Sequence, residues 1–210
     1  MKIAVFGLGY VGCVGLGCLA QNGHYVTGVD VNEDKIRLIN NGVPTIIEKE
    51  IDTIIRNQWL TGKISATNDF RKAVLDTDAA FICVGTPSLP TGQLDLQYVF
   101  ETARQIGEAL RDKNGFYVVA IRSTVMPGTN KKVGEIITGE SGKLISEDFA
   151  IVSNPEFLRE GSAVEDFYNP AVTVLGSDSD RALHLMEEIY KGINAPVVRT
   201  DTKAAEFIKY

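Results

Sequence analysis

The stretch that most constrains this chain is Gly7-Leu8-Gly9-Tyr10-Val11-Gly12. An apolar run at residues 2–6 precedes it, and an apolar, helix-like segment at residues 11–22 follows it. In a strand–turn–helix context the three glycines of G-x-G-x-x-G have separate jobs. The first, Gly7, permits a tight turn. The second, Gly9, lets the backbone approach a pyrophosphate. The third, Gly12, lets helix and strand pack closely. N–H groups at a helix start carry partial positive charge, so donation to phosphate is expected around Tyr10 and Val11.

A second apolar run, residues 25–30, ends in Asp30, eighteen residues after Gly12. A carboxylate there is placed to accept the adenosine ribose hydroxyls. A 2′-phosphate beside it would meet like-charge repulsion of about 1–4 kcal/mol at contact range. Val31-Asn32-Glu33 supplies no arginine to relieve that repulsion, so the expected cofactor is NAD rather than NADP. Lys35, one turn into the next helix, is a candidate contact to the ribose or phosphate.

Apolar runs at 2–6, 25–30, 79–84, 116–121, 149–152, 172–176 and 196–199 read as strands. Helix-like segments at 11–22, 33–41, 47–59, 70–75, 96–110, 131–138 and 181–190 alternate with them. Nearly continuous apolar character suits strands buried on both faces. The alternation predicts an α/β fold of the Rossmann type: a doubly wound, mostly parallel sheet with helices on both faces. Asn32 is a candidate cap for the second helix and Gly42 its stop, Asn68 or Asp69 caps residues 70–75, and Asp178 and Asp180 precede the helix at 181–190.

Composition narrows the function classes. With 44% hydrophobic and 23% charged residues the chain reads as an ordinary globular protein. Its net charge is -6 and its longest basic run is the pair Lys131–Lys132, which argues against nucleic-acid binding. Glycines interrupt the apolar N-terminus, so neither a cleaved signal nor a membrane segment is expected and cytoplasmic residence is. The three cysteines, Cys13, Cys18 and Cys83, form no C-x-x-C pair and read as buried thiols of a reducing compartment. No metal site is expected, because the two histidines lie far apart and neither has a ligand spacing to a cysteine.

Three further strand tips carry polar residues. The run 79–84 leads into Gly85-Thr86-Pro87, 116–121 into Arg122-Ser123-Thr124, and 149–152 into S-N-P-E-F-L-R-E-G at 153–161. Ligands bind beyond the carboxyl ends of strands in an open parallel sheet, so all three segments are expected at the crevice of the glycine turn.

The set G-L-G-Y-V-G, F-I-C-V-G-T-P, R-S-T-V-M-P-G-T, S-N-P-E-F-L-R-E-G and A-A-E-F-I-K-Y resembles the UDP-glucose/GDP-mannose dehydrogenase family over the whole of the chain. The resemblance implies oxidation of C6 of a nucleotide sugar from alcohol to acid with two hydride transfers to NAD. The type reaction is UDP-glucose to UDP-glucuronate, with GDP-mannose as the alternative substrate and a non-catalytic NAD-binding module as the alternative outside enzymes. It implies that Tyr10, Val11, Asp30, Lys35, Thr86 and Thr124 contact NAD, and that Glu156 is a general base near the reacting carbon. Thr124 would help to hold the attacking water. Phe157, Leu158, Arg159 and Glu160 would line the sugar pocket, Glu160 also near the nicotinamide ribose, and Lys209 would stabilise oxyanion charge at C6. Residues 1–200 are expected to form the NAD-binding domain and 201–210 the start of a central connecting helix. The family's thiol motif, G-G-x-C-x-P-K, is absent here, so this portion is expected to bind NAD without turning over a sugar nucleotide. The full-length parent is expected to be a homo-oligomer.

Overall fold

Valine, isoleucine and phenylalanine runs without charge cannot be left in water, and each fully buried side chain of this kind contributes about 1.5–3 kcal/mol. The computed structural model, which describes residues 1–209, folds these runs into one eight-stranded sheet. In chain order the elements are β1 (Lys2–Phe6), α1 (Tyr10–Gln21), β2 (Tyr25–Val29), α2 (Glu33–Asn40), α3 (Ile51–Leu60), β3 (Ile64–Thr67), α4 (Phe70–Leu75) and β4 (Ala79–Ile82). There follow α5 (Gln97–Leu110), β5 (Tyr117–Ile121), α6 (Thr129–Ser141), β6 (Phe149–Ser153), α7 (Ala163–Tyr168), β7 (Thr173–Gly176), α8 (Asp180–Ile189), β8 (Val197–Thr200) and α9 (Thr202–Phe207).

The strand order is β3-β2-β1-β4-β5-β6-β7-β8. All neighbouring pairs are parallel except β6 and β7, which meet antiparallel at Ser153 and Gly176. β1 therefore sits at the switch point, with β2 on one side and β4 on the other, and the crevice opens at the carboxyl ends of these strands. One face of the sheet packs on α1, α3, α7 and α8 around Val5, Leu16, Phe81 and Val152. The other packs on α4, α5 and α6 around Phe6, Ile82, Tyr117 and Ile151.

The doubly wound α/β fold is the expected one, with corrections in detail. β3 and α7 were not anticipated. The helix expected from residue 47 starts at Ile51, because Glu50 takes a left-handed conformation at φ 69° and breaks the segment before it. β4 stops at Ile82, so Cys83 lies just past the strand rather than within it. Asn32 caps α2, accepting from the N–H groups of Asp34 and Lys35, and Asp69 caps α4. At α8 the cap is Ser179, and Asp180 is already the first helical residue. Among the described residues no helix is long and apolar enough to cross a membrane.

Candidate functional site

The glycine turn forms one wall of a cleft of about 420 Å³. Gly7, Gly9, Asp30, Lys35, Cys83, Val84, Gly85 and Tyr98 are among its lining residues. Gly7 has φ 90°, and a Cβ on it would lie 2.8 Å from the Cys83 carbonyl oxygen. A Cβ on Gly12 would lie 1.8 Å from the Gly7 carbonyl oxygen, which leaves hydrogen as the only side chain that fits. A Cβ on Gly9 would meet nothing within 4 Å, so the second glycine faces open space. Gly9 is also the N-cap of α1, and no side chain caps that helix. The first N–H groups of α1, around Tyr10 and Val11, are thus left for an acceptor from outside.

Asp30 stands beside the turn, at the end of β2. Its Oδ2 accepts the Leu8 N–H at 2.7 Å and its Oδ1 the Asn32 N–H at 2.9 Å. The Lys35 Nζ lies 3.5 Å from Oδ2. Two backbone donors and a cation hold the carboxylate, and free lone pairs remain for a ligand hydroxyl. Thr86 is half-buried in the loop after β4 and is not among the residues that line this cleft.

Thr124, Glu156 and Lys209 come together elsewhere along the strand tips. Thr124 and Lys209 line one small cleft beyond β5 and β6. The Lys209 Nζ donates to Glu156 Oε1 at 2.7 Å and to the Glu156 carbonyl oxygen, and it lies 5.4 Å from the centre of the Phe157 ring. The Glu156 Oε2 accepts the Leu158 N–H at 2.6 Å. A carboxylate, an ammonium and a hydroxyl at one crevice can exchange a proton and hold developing negative charge.

Arg159 and Glu160 are exposed. The Arg159 guanidinium turns to Asp166, with Nη2 2.6 Å from Oδ1, while its carbonyl oxygen accepts from the Tyr10 hydroxyl. Tyr10 also donates to Glu48, whose Oε2 accepts the Gly161 N–H at 2.7 Å. Glu48 thereby ties the start of α1 to the 154–162 loop, a role with no signature in the sequence. Arg122, expected at the crevice, has a structural role that the sequence did not show. It is buried beneath the crevice, and its Nη1 donates to Asn154 Oδ1 at 2.9 Å and to the Tyr190 hydroxyl at 2.8 Å. The R-S-T and N-P-E motifs contain Arg122 and Asn154, but their pairing is tertiary, and Tyr190 lies in neither.

The thiols are unsuited to nucleophilic attack. Burial pushes Cys83 and Cys18 up to about 12 and also raises Cys13, so all three are neutral at physiological pH. Among the described residues no group of three or more His, Cys, Asp or Glu is placed to hold a metal.

The Arg159 guanidinium beside Asp166 brings its carboxyl down to about 2. An unfolded aspartate titrates near 3.9. Because the folded value is depressed, this pair stabilises the fold above about pH 4, and the contribution is lost as pH falls toward 2. Replacing Arg159 with alanine is expected to flatten that part of the acid limb in urea melts. An unchanged slope between about pH 4 and 2 would show that the pair contributes nothing, as exposed pairs sometimes do.

Comparison with known proteins completes the picture. The family model for the UDP-glucose/GDP-mannose dehydrogenase family, NAD binding domain, matches residues 1–194. The chain is 48% identical over 211 residues to the GDP-mannose 6-dehydrogenase of Pseudomonas aeruginosa, covering 100% of this chain and 48% of that protein. It is 43% identical over 209 residues to a UDP-glucose 6-dehydrogenase of Bacillus subtilis, covering 100% of this chain and 44% of that protein. Its backbone superposes on the crystal structure of a ternary complex of the Pseudomonas aeruginosa GDP-mannose dehydrogenase with a TM-score of 0.98 at 47% identity, over 100% of this chain and 48% of that one. It thus spans about half the length of these relatives. The chain belongs to the UDP-glucose/GDP-mannose dehydrogenase family and carries that family's NAD-binding domain.

Proposed function

We propose that this chain is the NAD-binding portion of a nucleotide-sugar 6-dehydrogenase, which oxidises C6 of the sugar from alcohol to acid. The observation that carries the reading is the pairing of a dinucleotide cradle with a proton-handling cluster along one line of strand tips. Gly9 faces open space and α1 is uncapped, so the donors present fit a pyrophosphate. Asp30 fits the hydroxyls of an adenosine ribose. Bound NAD+ would supply the hydride acceptor.

The remaining work falls to the chain's own backbone and side-chain groups. Tyr10 and Val11 donate backbone N–H groups to the pyrophosphate, Lys35 adds positive charge near the ribose, and Thr86 and Thr124 bind toward the nicotinamide end. Lys209 stabilises developing oxyanion charge at C6. Glu156 takes a proton from the attacking water, which Thr124 helps to hold. Phe157, Leu158, Arg159 and Glu160 form the sugar side of the pocket. None of Cys13, Cys18 and Cys83 serves as the reaction's thiol nucleophile, so this portion alone binds cofactor without completing the oxidation. Of the two substrates, GDP-mannose draws support from the 48% identity to the Pseudomonas aeruginosa enzyme, against 43% to the UDP-glucose relative. A cofactor such as NAD, a sugar nucleotide and free thiols all suit the cytoplasm.

Calorimetric titration tests the reading. NAD+ is expected to bind in a one-to-one ratio and NADP+ more weakly. With NAD+ and either sugar nucleotide, absorbance at the NADH band is expected to stay flat. Absence of NAD+ binding overturns the proposal, and NADH production overturns the division of labour.

A further inference from the structure

Glu206 is a carboxylate only 4% exposed, on a helix whose following residues Phe207 and Ile208 are 62% and 45% exposed. Its Oε2 accepts the Gly128 N–H at 2.7 Å. Its Oε1 accepts the Asn130 N–H at 2.7 Å and the Asn130 side-chain amide at 2.5 Å. These donors are the start of α6, a helix that has no side-chain cap of its own. Glu206 caps it from another helix, and the positive end of α6 together with three hydrogen bonds compensates a charge that burial alone would disfavour.

The two segments joined in this way each carry one member of the reacting cluster. Thr124 lies in the short loop that ends at Gly128, and Lys209 lies three residues beyond Glu206. The root of α9 has its own seat. Asp201 caps it by accepting the Ala204 N–H at 2.9 Å. It rests directly on β7, where a Cβ on Gly176 would lie 2.4 Å from the Ala205 Cβ and 2.8 Å from the Asp201 carbonyl oxygen. Beyond that seat, Phe207 and Ile208 are both exposed, so Glu206 is the last buried side chain before Lys209. Glu206, Thr124 and Lys209 also line the same small cleft.

We propose that Glu206 is a positioning residue: by capping α6 from α9 it sets Lys209 and Glu156 against the Thr124 loop. The inference rests on the reading of Thr124, Glu156 and Lys209 as the reacting end of the site. A local helix cap would stabilise α6 and leave Lys209 where it is, and this difference is measurable.

The test uses nuclear magnetic resonance on the chain with labelled amides and lysine side chains. In Glu206→Gln one oxygen becomes an NH2 group facing an N–H donor, and in Glu206→Ala both acceptors are gone. Amide exchange at Gly128 and Asn130 is expected to quicken by about tenfold or more. The Lys209 side-chain resonance is expected to move toward the position it takes in Glu156→Gln, and the Thr124 amide to shift with it. NAD+ affinity, set mainly at the glycine turn and Asp30 with Thr124 one contact among several, is expected to fall by at most about tenfold, the worth of one hydrogen bond. Faster exchange with an unmoved Lys209 resonance reduces Glu206 to a cap and overturns the proposal, as does unchanged exchange. Should the alanine variant not fold, the glutamine variant, which keeps the volume, decides. If the unaltered chain fails to bind NAD+, the dehydrogenase reading falls, while the Lys209 shift still reports on the anchor.

Discussion

Alanine at Gly12 is expected to destabilise the chain and to weaken NAD+ binding together. The added methyl would sit 1.8 Å from the Gly7 carbonyl oxygen and 2.9 Å from its carbon. Neither is the flexible end of a side chain, so α1 must move off β1 or the turn must open. Overpacking costs about 1–3 kcal/mol and occasionally more, and a backbone contact this close belongs at or above the upper end. For a chain of this size, about 3 kcal/mol lowers the melting temperature by roughly 6–12 °C. Opening the turn also misaims the N–H groups at the start of α1. Losing one hydrogen bond to a charged phosphate costs about 1.5–3 kcal/mol, which is about a 10- to 150-fold rise in Kd. Gly9→Ala is the control. Its methyl meets no protein atom within 4 Å, so the melting temperature should hold while NAD+ affinity drops. A Gly12→Ala chain that melts with the parent would mean that the turn and helix are not packed as described.

These contrasting roles of Gly9 and Gly12 are the part of the site most legible in the sequence, because they depend on neighbours a few residues apart. The same holds for the caps at Asn32 and Asp69, where side chain and backbone partners are adjacent. Legibility fades as partners separate. β3 is four residues of I-S-A-T with two buried positions, too short and too polar to stand out as an apolar run. α7 is six residues long and has no capping side chain to mark its start. Glu156 and Lys209 are 53 positions apart, and spacing alone cannot pair them. Residue type misleads most at Glu206, since a glutamate in a helix reads as a solvated face until the start of α6 is found against it. Arg122 was expected near the crevice, but its burial beneath the site follows from Asn154 and Tyr190, just past the ends of β6 and α8, which only the tertiary fold brings close.

Asp30→Ala is expected to have the largest effect on cofactor choice. The carboxylate is 8% exposed and already fixed by the Leu8 and Asn32 N–H groups, so it presents its remaining lone pairs without further ordering. Losing charge-assisted bonds to the ribose costs about 1.5–3 kcal/mol, and NAD+ should bind about 10- to 150-fold more weakly. NADP+ should change in the opposite sense. The repulsion removed is about 1–4 kcal/mol at contact range, so NADP+ should gain roughly 5- to 1000-fold, and with the NAD+ loss the ratio of the two affinities should move by roughly 50- to 100,000-fold toward NADP+. Lys35 sharpens the expectation. Its ammonium now lies 3.5 Å from the Asp30 carboxylate, and without that partner it is free to meet a 2′-phosphate. In the Asp30→Ala background, Lys35→Ala should therefore return part of the lost selectivity, whereas in the parent it should matter little. Parallel titrations of NAD+ and NADP+ into the four chains measure both couplings. An Asp30→Ala chain with the parent's preference for NAD+ would place the source of selectivity elsewhere in the cleft and remove Asp30 from the ribose.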